Sequence, residues 1–262
     1  MNKDALFEEF DSFSAKAWKQ QIQFDLKGAD YNKTLVYESP EGISVKPFYH
    51  ADDLKGKEIA KIARVSKLYI GQKIYARDAK KSNEKALDVL ARGAESLIFT
   101  IPSLDIRIDA LLQNIDLAQI PIYFEMQFLS SDYIKQIRDY VGSKNISIYL
   151  NIDIIGNLAR TGNWFQNMDK DLETLTKILK ENLNSSIINT LGIDVSLYQN
   201  AGANRVQQLA YSLAHVNEYL NFIKNNAIKP PQEIVFKVAV GTNYFFEIAK
   251  LRALRLLWDT LT

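Results

Sequence analysis

The run Asn83-Glu84-Lys85-Ala86-Leu87-Asp88-Val89-Leu90-Ala91-Arg92-Gly93, then Ala94-Glu95, then Ser96-Leu97-Ile98-Phe99-Thr100-Ile101, sets a helix directly against a strand. Ala86, Leu87, Leu90 and Ala91 recur at helical spacing on one face, and Gly93 supplies the stop. Ser96–Ile101 is short and apolar, with the branched and aromatic side chains that pack well on a pleated surface. The same alternation extends in both directions. Strands are predicted at Lys67–Ile74, Ser96–Ile101, Ile120–Met126, Ile146–Ile155, Ile188–Tyr198 and Ile234–Val240. Helices are predicted at Asp132–Val141, Asp169–Leu183, Asn204–Asn225 and Tyr244–Leu261.

Strands that alternate with helices imply a parallel sheet joined by right-handed crossovers. Ile74-Tyr75-Ala76-Arg77-Asp78, after the first strand, lacks the glycines of a dinucleotide-binding turn. The fold class is therefore read as α/β, a (β/α)8 TIM-type barrel. Such a barrel has eight units; six βα units are found, so an incomplete barrel is expected over 66–262, truncated after the sixth unit at Trp258-Asp259-Thr260-Leu261-Thr262. With 262 residues, 47% of them hydrophobic, the chain has material for a barrel-sized core.

Residues 1–65 read differently, as an N-terminal extension. Phe7, Phe10, Phe13 and Trp18 recur at roughly helical spacing in a polar background. Tyr31 and Tyr37 follow, then the turn signal Ser39-Pro40-Glu41-Gly42 and the alternating Ile43–Tyr49, a hairpin with little core of its own. One reading packs this segment on the barrel. The other makes it a subunit-contact arm, with Phe7, Phe10, Phe13, Trp18, Tyr31 and Tyr37 as anchors, since aromatics dominate interface hot spots.

Lys+Arg total 32 against Asp+Glu 31, so no general electrostatic pull toward nucleic acid or an anionic membrane is expected. The absence of Cys excludes disulfides, thiolate metal sites and a Cys nucleophile. The N-terminus has no apolar signal-peptide core, and no stretch reaches the ~18 apolar residues of a membrane span. A cytoplasmic protein is expected.

The two His residues carry weak signals. His50 stands beside Asp52 and Asp53, a poor metal pattern and a good turn. His215 lies within the long fifth helix and is expected at a surface or interface. Glu247 and Lys250, three apart, are expected to pair on a helix surface. Asn151, Asp153, Gln199, Asn200 and Asn243 sit near predicted strand ends, where barrel sites lie. They form either a vestigial pocket or a set of helix caps.

Longer motifs carry a family resemblance. Asp194-Val195-Ser196-Leu197-Tyr198-Gln199-Asn200-Ala201-Gly202-Ala203 with Gln208–Ala214, and Gly241-Thr242-Asn243-Tyr244-Phe245-Phe246-Glu247-Ile248-Ala249-Lys250-Leu251-Arg252-Ala253, resemble the fifth and sixth units of the methylmalonyl-CoA mutase barrel. Ser82-Asn83 and Gly93–Leu97 resemble its first helix and the approach to its second strand, and Leu35–Ile43 resembles the N-terminal segment of its small subunit. The resemblance implies an isomerase by family: a catalytic large subunit that binds adenosylcobalamin and interconverts methylmalonyl-CoA and succinyl-CoA, paired as a heterodimer with a smaller homologue that has lost the chemistry.

Residue by residue, the resemblance implies that this chain is the smaller homologue. The family's catalytic His stands two positions before the Gln of its Gln-Glu-Ala-Gly-Ala motif; here that Gln is Gln199 and the position is Leu197, which cannot donate a proton. The family's Tyr at the end of the first strand is matched by Lys73, and Arg160 is a weak counterpart of an Arg after the fourth. Independently, Ser96–Ile101, Pro121–Met126 and Ser147–Ile152 are bulky on both alternating faces, leaving little room along the axis for a pantetheine arm. The expectation is a structural and assembly partner of the large subunit, without catalytic, cofactor or metal residues of its own, the adenosylcobalamin residing in the partner. The alternatives are a mutase with a displaced acid, and a module that binds a small molecule at the barrel mouth.

Overall fold

The computed structural model describes residues 13–56, 67–142, 147–182, 188–231 and 233–262. Phe7 and Phe10 lie outside them. The chain divides into two units, Met1–Ile62 and Ala63–Thr262.

In the first unit, α1 (Ala15–Asp25) starts where the Ser14 side chain accepts from the Ala17 N–H. α2 (Tyr31–Leu35) starts at Asp30, which accepts from the Lys33 N–H at 2.8 Å. β1 (Tyr37–Glu38) and β2 (Ser44–Val45) pair antiparallel, the hairpin expected around Ser39–Gly42. Gly42 closes the turn at φ 74°, a conformation that favours glycine. A short 3₁₀ turn, Ala51–Leu54, is capped by His50, whose Nδ1 accepts from the Asp52 N–H. His50 is thus a turn-capping residue.

The second unit contains β3 (Gly71–Tyr75), α3 (Ala79–Ala91), β4 (Ser96–Ile101), α4 (Ile108–Leu111), β5 (Ile122–Met126), α5 (Ser131–Val141), β6 (Ile148–Ile152), α6 (Ile154–Thr161) and α7 (Met168–Asn182). β7 (Ile188–Asp194), α8 (Ser196–Asn200), α9 (Arg205–Asn225), β8 (Val235–Lys237) and α10 (Tyr244–Leu261) follow. The six strands pair in the order β3-β4-β5-β6-β7-β8, every pair parallel, in a curled half-barrel sheet.

Alternation sorts the side chains. Leu97, Phe99, Ile101, Ile122, Phe124, Ile148 and Leu150 are fully buried in one core with helix residues such as Ala86, Ile137, Leu175 and Val216. Each such side chain is worth about 1.5–3 kcal/mol relative to an exposed one. The intervening positions belong to the opposite face, where the register sets Lys73, Ile98, Tyr123 and Tyr149 side by side.

Four strand ends differ from expectation by three residues or more: β3 starts at Gly71 rather than Lys67, β8 ends at Lys237 rather than Val240, and β6 and β7 stop early. β6 stops at Ile152, because the Asp153 side chain caps α6. β7 stops at Asp194 rather than Tyr198, because the Asp194 carboxylate accepts from the Ser196 N–H and hydroxyl and turns the chain into α8. Leu197, Gln199 and Asn200 therefore lie on a short helix and not on a strand.

Candidate functional site: a charged mouth at the strand ends

Barrel proteins place their sites at the C-terminal ends of the strands, and there the second unit has a cavity of about 360 Å³. Its floor is an ion-pair layer. Lys73 Nζ lies 2.5 Å from Glu125 Oε2, and Lys237 Nζ lies 2.9 Å from Glu125 Oε1 and 3.3 Å from Asp194 Oδ2. Arg160 Nη2 closes the chain on Asp194 Oδ2 at 2.9 Å. One step nearer the strand starts, Tyr123 and Tyr149 stack with centroids 4.5 Å apart and planes 11° apart. Burial pushes the Tyr123 hydroxyl up to about 12, the neighbouring Tyr149 adding to the effect, so it stays protonated.

The layer has a pH signature. Burial raises the Glu125 carboxyl, but the Lys73 and Lys237 hydrogen bonds outweigh it and hold the group below its ordinary 4.5. Asp194 is likewise below 3.8, burial being outweighed by Ser196, Lys237 and Arg160. A carboxylate depressed in the folded state stabilises above its unfolded pKa, and that stability is lost as pH falls through the folded value. The melting temperature is therefore expected to hold down to about pH 5 and to fall steeply below about pH 4. Calorimetry across pH 3–7 checks this, and a flat profile would contradict the ion-pair layer.

Two further clusters flank the mouth. The first is a buried relay. Tyr198 Oη lies 3.0 Å from His215 Nδ1, and His215 Nε2 lies 2.8 Å from Asp153 Oδ1. The same oxygen accepts from Tyr219 Oη at 2.9 Å and from the Gly156 N–H at 2.8 Å, while Asp153 Oδ2 accepts from the Asp194 N–H at 2.9 Å. His215 is only 3% exposed, which corrects the expectation of a surface or interface residue: the carboxylate of Asp153 draws it inward. The second cluster centres on Lys250, whose Nζ reaches Ala239 O, Gln208 Oε1, Gln199 Oε1 and Glu247 Oε2. Glu247 also takes Arg205 Nε at 2.9 Å. Glu247 and Lys250 do pair, but in a buried network between α9 and α10 and not on a surface.

The residues named from the sequence are thus divided. Lys73, Asn151, Asp153 and Arg160 line the cavity. Leu197, Gln199, Asn200 and Asn243 are not among its lining residues. Gln199 accepts from Lys250, Asn200 is exposed, and Asn243 caps α10 by accepting from the Phe246 N–H. Asn151 takes φ 44°, and Gly192 faces it so closely that an added Cβ would meet the Asn151 Cα at 2.8 Å. Glu125, Asp194 and Lys237 were not foreseen. Their signal was a charge interrupting an apolar strand, as in Ile122-Tyr123-Phe124-Glu125 and Val235-Phe236-Lys237.

In the first unit the predicted anchors that are described stay open. Phe13, Trp18 and, beside them, Phe24 are 69%, 51% and 79% exposed. Tyr37 is exposed and Tyr31 half-buried under the Lys19 ammonium. Among the described residues no group of three or more His, Asp or Glu is placed to hold a metal ion, and no helix is long and apolar enough to cross a membrane.

A parallel sheet with a helix after each strand and charge gathered at the strand ends defines a protein of the (β/α)-barrel class. The family model described as methylmalonyl-CoA mutase matches residues 100–262, more than half of the chain, and the chain belongs to that family. It is similar to the methylmalonyl-CoA mutase small subunit of Porphyromonas gingivalis, 30% identical over 98% of this chain and 45% of that one. The small subunit of Streptomyces virginiae is 25% identical over 97% of this chain and 46% of its own length. The large subunit of P. gingivalis is 40% identical over a shorter stretch, 27% of this chain and 10% of its own. The chain spans about half the length of the small subunits it matches.

Proposed function

We propose that the chain acts as part of a mutase small subunit: it assembles with the large catalytic subunit and performs no isomerisation itself. The observation that carries this reading is α1, which has no buried residue: its Trp18 and Phe24, with Phe13 just before its cap, stay open on a unit whose described residues contain only one buried side chain, Ser39. Aromatics left uncovered at this density mark an interface. The relatives support it, since small and large mutase subunits occur as separate chains in P. gingivalis and S. virginiae.

The barrel face supports the lack of chemistry. Where the family's first-strand Tyr is expected, Lys73 is committed to Glu125. Where its His is expected, Leu197 sits half-buried on α8, off the cavity. The Tyr123–Tyr149 stack and the ion-pair layer occupy the face along which a CoA arm would pass. The barrel cavity offers no imidazole: His215 has both ring nitrogens engaged in the buried relay, and His50 belongs to the first unit, where its Nδ1 caps a turn. The cofactor is assigned to the partner.

The test is co-elution of the chain with the large subunit of the same organism, then mutase assays of each alone and of the complex. Co-elution, with turnover only when the large subunit is present, is expected. Trp18→Ala is expected to weaken the complex by about 2 kcal/mol, roughly 30-fold, measured by interferometry. Turnover by this chain alone with adenosylcobalamin would instead support the displaced-acid reading.

A further inference from the structure

The described residues of the first unit are rich in large apolar side chains and poor in burial. Phe13, Phe24, Tyr37, Ile43, Tyr49 and Leu54 are each at least 48% exposed, and Ser39 is the one buried residue among 13–56. The buried apolar core of the chain begins at Ile74 and takes no side chain from this unit. A permanently disordered segment is short of apolar residues. This segment has them and leaves them in water.

What holds the unit together is local and thin. α1 has 11 residues and α2 has 5, below the ~12–15 at which an isolated helix becomes even marginal in water. β1 and β2 pair as a hairpin with 2 residues in each strand, and a lone two-stranded hairpin is marginal at best. Between α1 and the later part of the unit, Trp18 meets Phe48 edge-to-face at 6.5 Å, and the Ala15 N–H reaches Asp52 Oδ2 at 3.4 Å. Lys46–Asp53 and Lys55–Asp52 are ion pairs open to water, which contribute little. Ordering a backbone costs conformational entropy at every residue, and without a core these contacts do not offset it over 13–56.

We infer that the first unit folds on its partner. In the free chain residues 13–56 exchange among open conformations, and α1, α2 and the hairpin become ordered as the large subunit covers Phe13, Trp18 and Phe24. This rests on the assembly role proposed above, and adds to it that binding and folding of the arm are one step. Ordering offsets part of the contact energy. The affinity is therefore lower than the covered apolar area implies, and it responds to the helix propensity of α1. An arm already folded in the free chain would bind with an affinity insensitive to that propensity.

Hydrogen–deuterium exchange of the full 262-residue chain, alone and with the large subunit, tests this. In the free chain, peptides within 13–56 are expected to exchange within about tenfold of unstructured rates, while β4 and β5 are protected about 1,000-fold or more. In the complex, α1 and the hairpin are expected to gain protection of about 100-fold or more. Gln23 is exposed on α1. Gln23→Gly is expected to bind the large subunit about fivefold more weakly than Gln23→Ala, with the melting temperature of the chain unchanged. Protection of 13–56 in the free chain equal to that of β4 and β5 overturns the inference whether or not a complex forms. So does a complex in which 13–56 stays unprotected, or equal affinities for the two Gln23 variants; both leave the assembly reading standing. Failure to form any complex overturns the assembly reading, and the ordering step falls with it.

Discussion

Lys250→Ala is expected to destabilise the second unit by about 3–5 kcal/mol, the cost of breaking a buried ion pair from one side. Lys250 is 3% exposed, and its ammonium meets four acceptors: Ala239 O at 2.8 Å, Gln208 Oε1 at 3.0 Å, Gln199 Oε1 at 3.3 Å and Glu247 Oε2 at 2.5 Å. Three of these belong to other elements: α8, α9 and the segment after β8. Removing the lysine leaves Glu247 buried with Arg205 alone. Burial by itself raises the Glu247 carboxyl, and the Lys250 and Arg205 bonds are what bring it below its ordinary value. Without Lys250 the group is pushed toward protonation, and two amide oxygens and a carbonyl lose their donor. A urea midpoint shift at unchanged slope measures the effect; the melting temperature should drop by on the order of 10 °C. The double variant Lys250→Met/Glu247→Met is expected to recover only the part of the loss that comes from the stranded Glu247 charge, because Gln199, Gln208 and Ala239 O stay without their donor. A double variant no better than the single would mean that the charge is not what Lys250 supplies. The network that joins Gln199, Gln208, Glu247 and Lys250 is on this account a packing device that seats α10 against α8 and α9.

The sequence carried the fold through its alternation. Apolar strands separated by helical stripes allow few arrangements, and the strand order β3 to β8 follows from keeping each crossover short and of one hand. It misplaced the ends of β6 and β7, where Asp153 and Asp194 turn the chain with side-chain hydrogen bonds that hydrophobic patterning does not register. The same two acids explain why the site was only partly readable. Asp153 was read as a vestigial-pocket residue or a helix cap; it starts α6, and its side chain also lies on the cavity wall. Its partners His215 and Tyr219 lie more than 60 residues away on α9, and no spacing rule joins them. Glu125 and Lys237 could have been marked from their place in apolar strands, but their pairing across the sheet depends on curvature. The prediction of bulky strands was legible because size alone decides it: Tyr123 and Tyr149 fill space wherever the axis runs.

Asp153→Ala is expected to cost about 4 kcal/mol, the sum of a lost helix cap and several donors stranded in the interior. The carboxylate joins three elements. It caps α6 through Gly156 N–H, holds His215 and Tyr219 of α9, and accepts from the backbone of Asp194 at the end of β7. Gly156 is required here, since any Cβ at that position would collide with the Asp153 side chain. Losing the cap alone accounts for about 1 kcal/mol. The larger part comes from His215 Nε2 and Tyr219 Oη, which burial keeps from water; burial and the Asp153 charge together already hold the Tyr219 hydroxyl well above its usual range. Asp153→Asn isolates the contact to β7. Its amide oxygen, in the place of Oδ1, keeps Gly156, His215 and Tyr219, but its NH₂ faces the Asp194 N–H, so a loss of about 1–2 kcal/mol should remain. Chemical denaturation of both variants decides the matter. A loss below about 1 kcal/mol for Asp153→Ala would mean that water reaches His215 and Tyr219 and replaces the carboxylate. The predicted size would make Asp153 the joint on which the cavity wall, and so any ligand held there, depends.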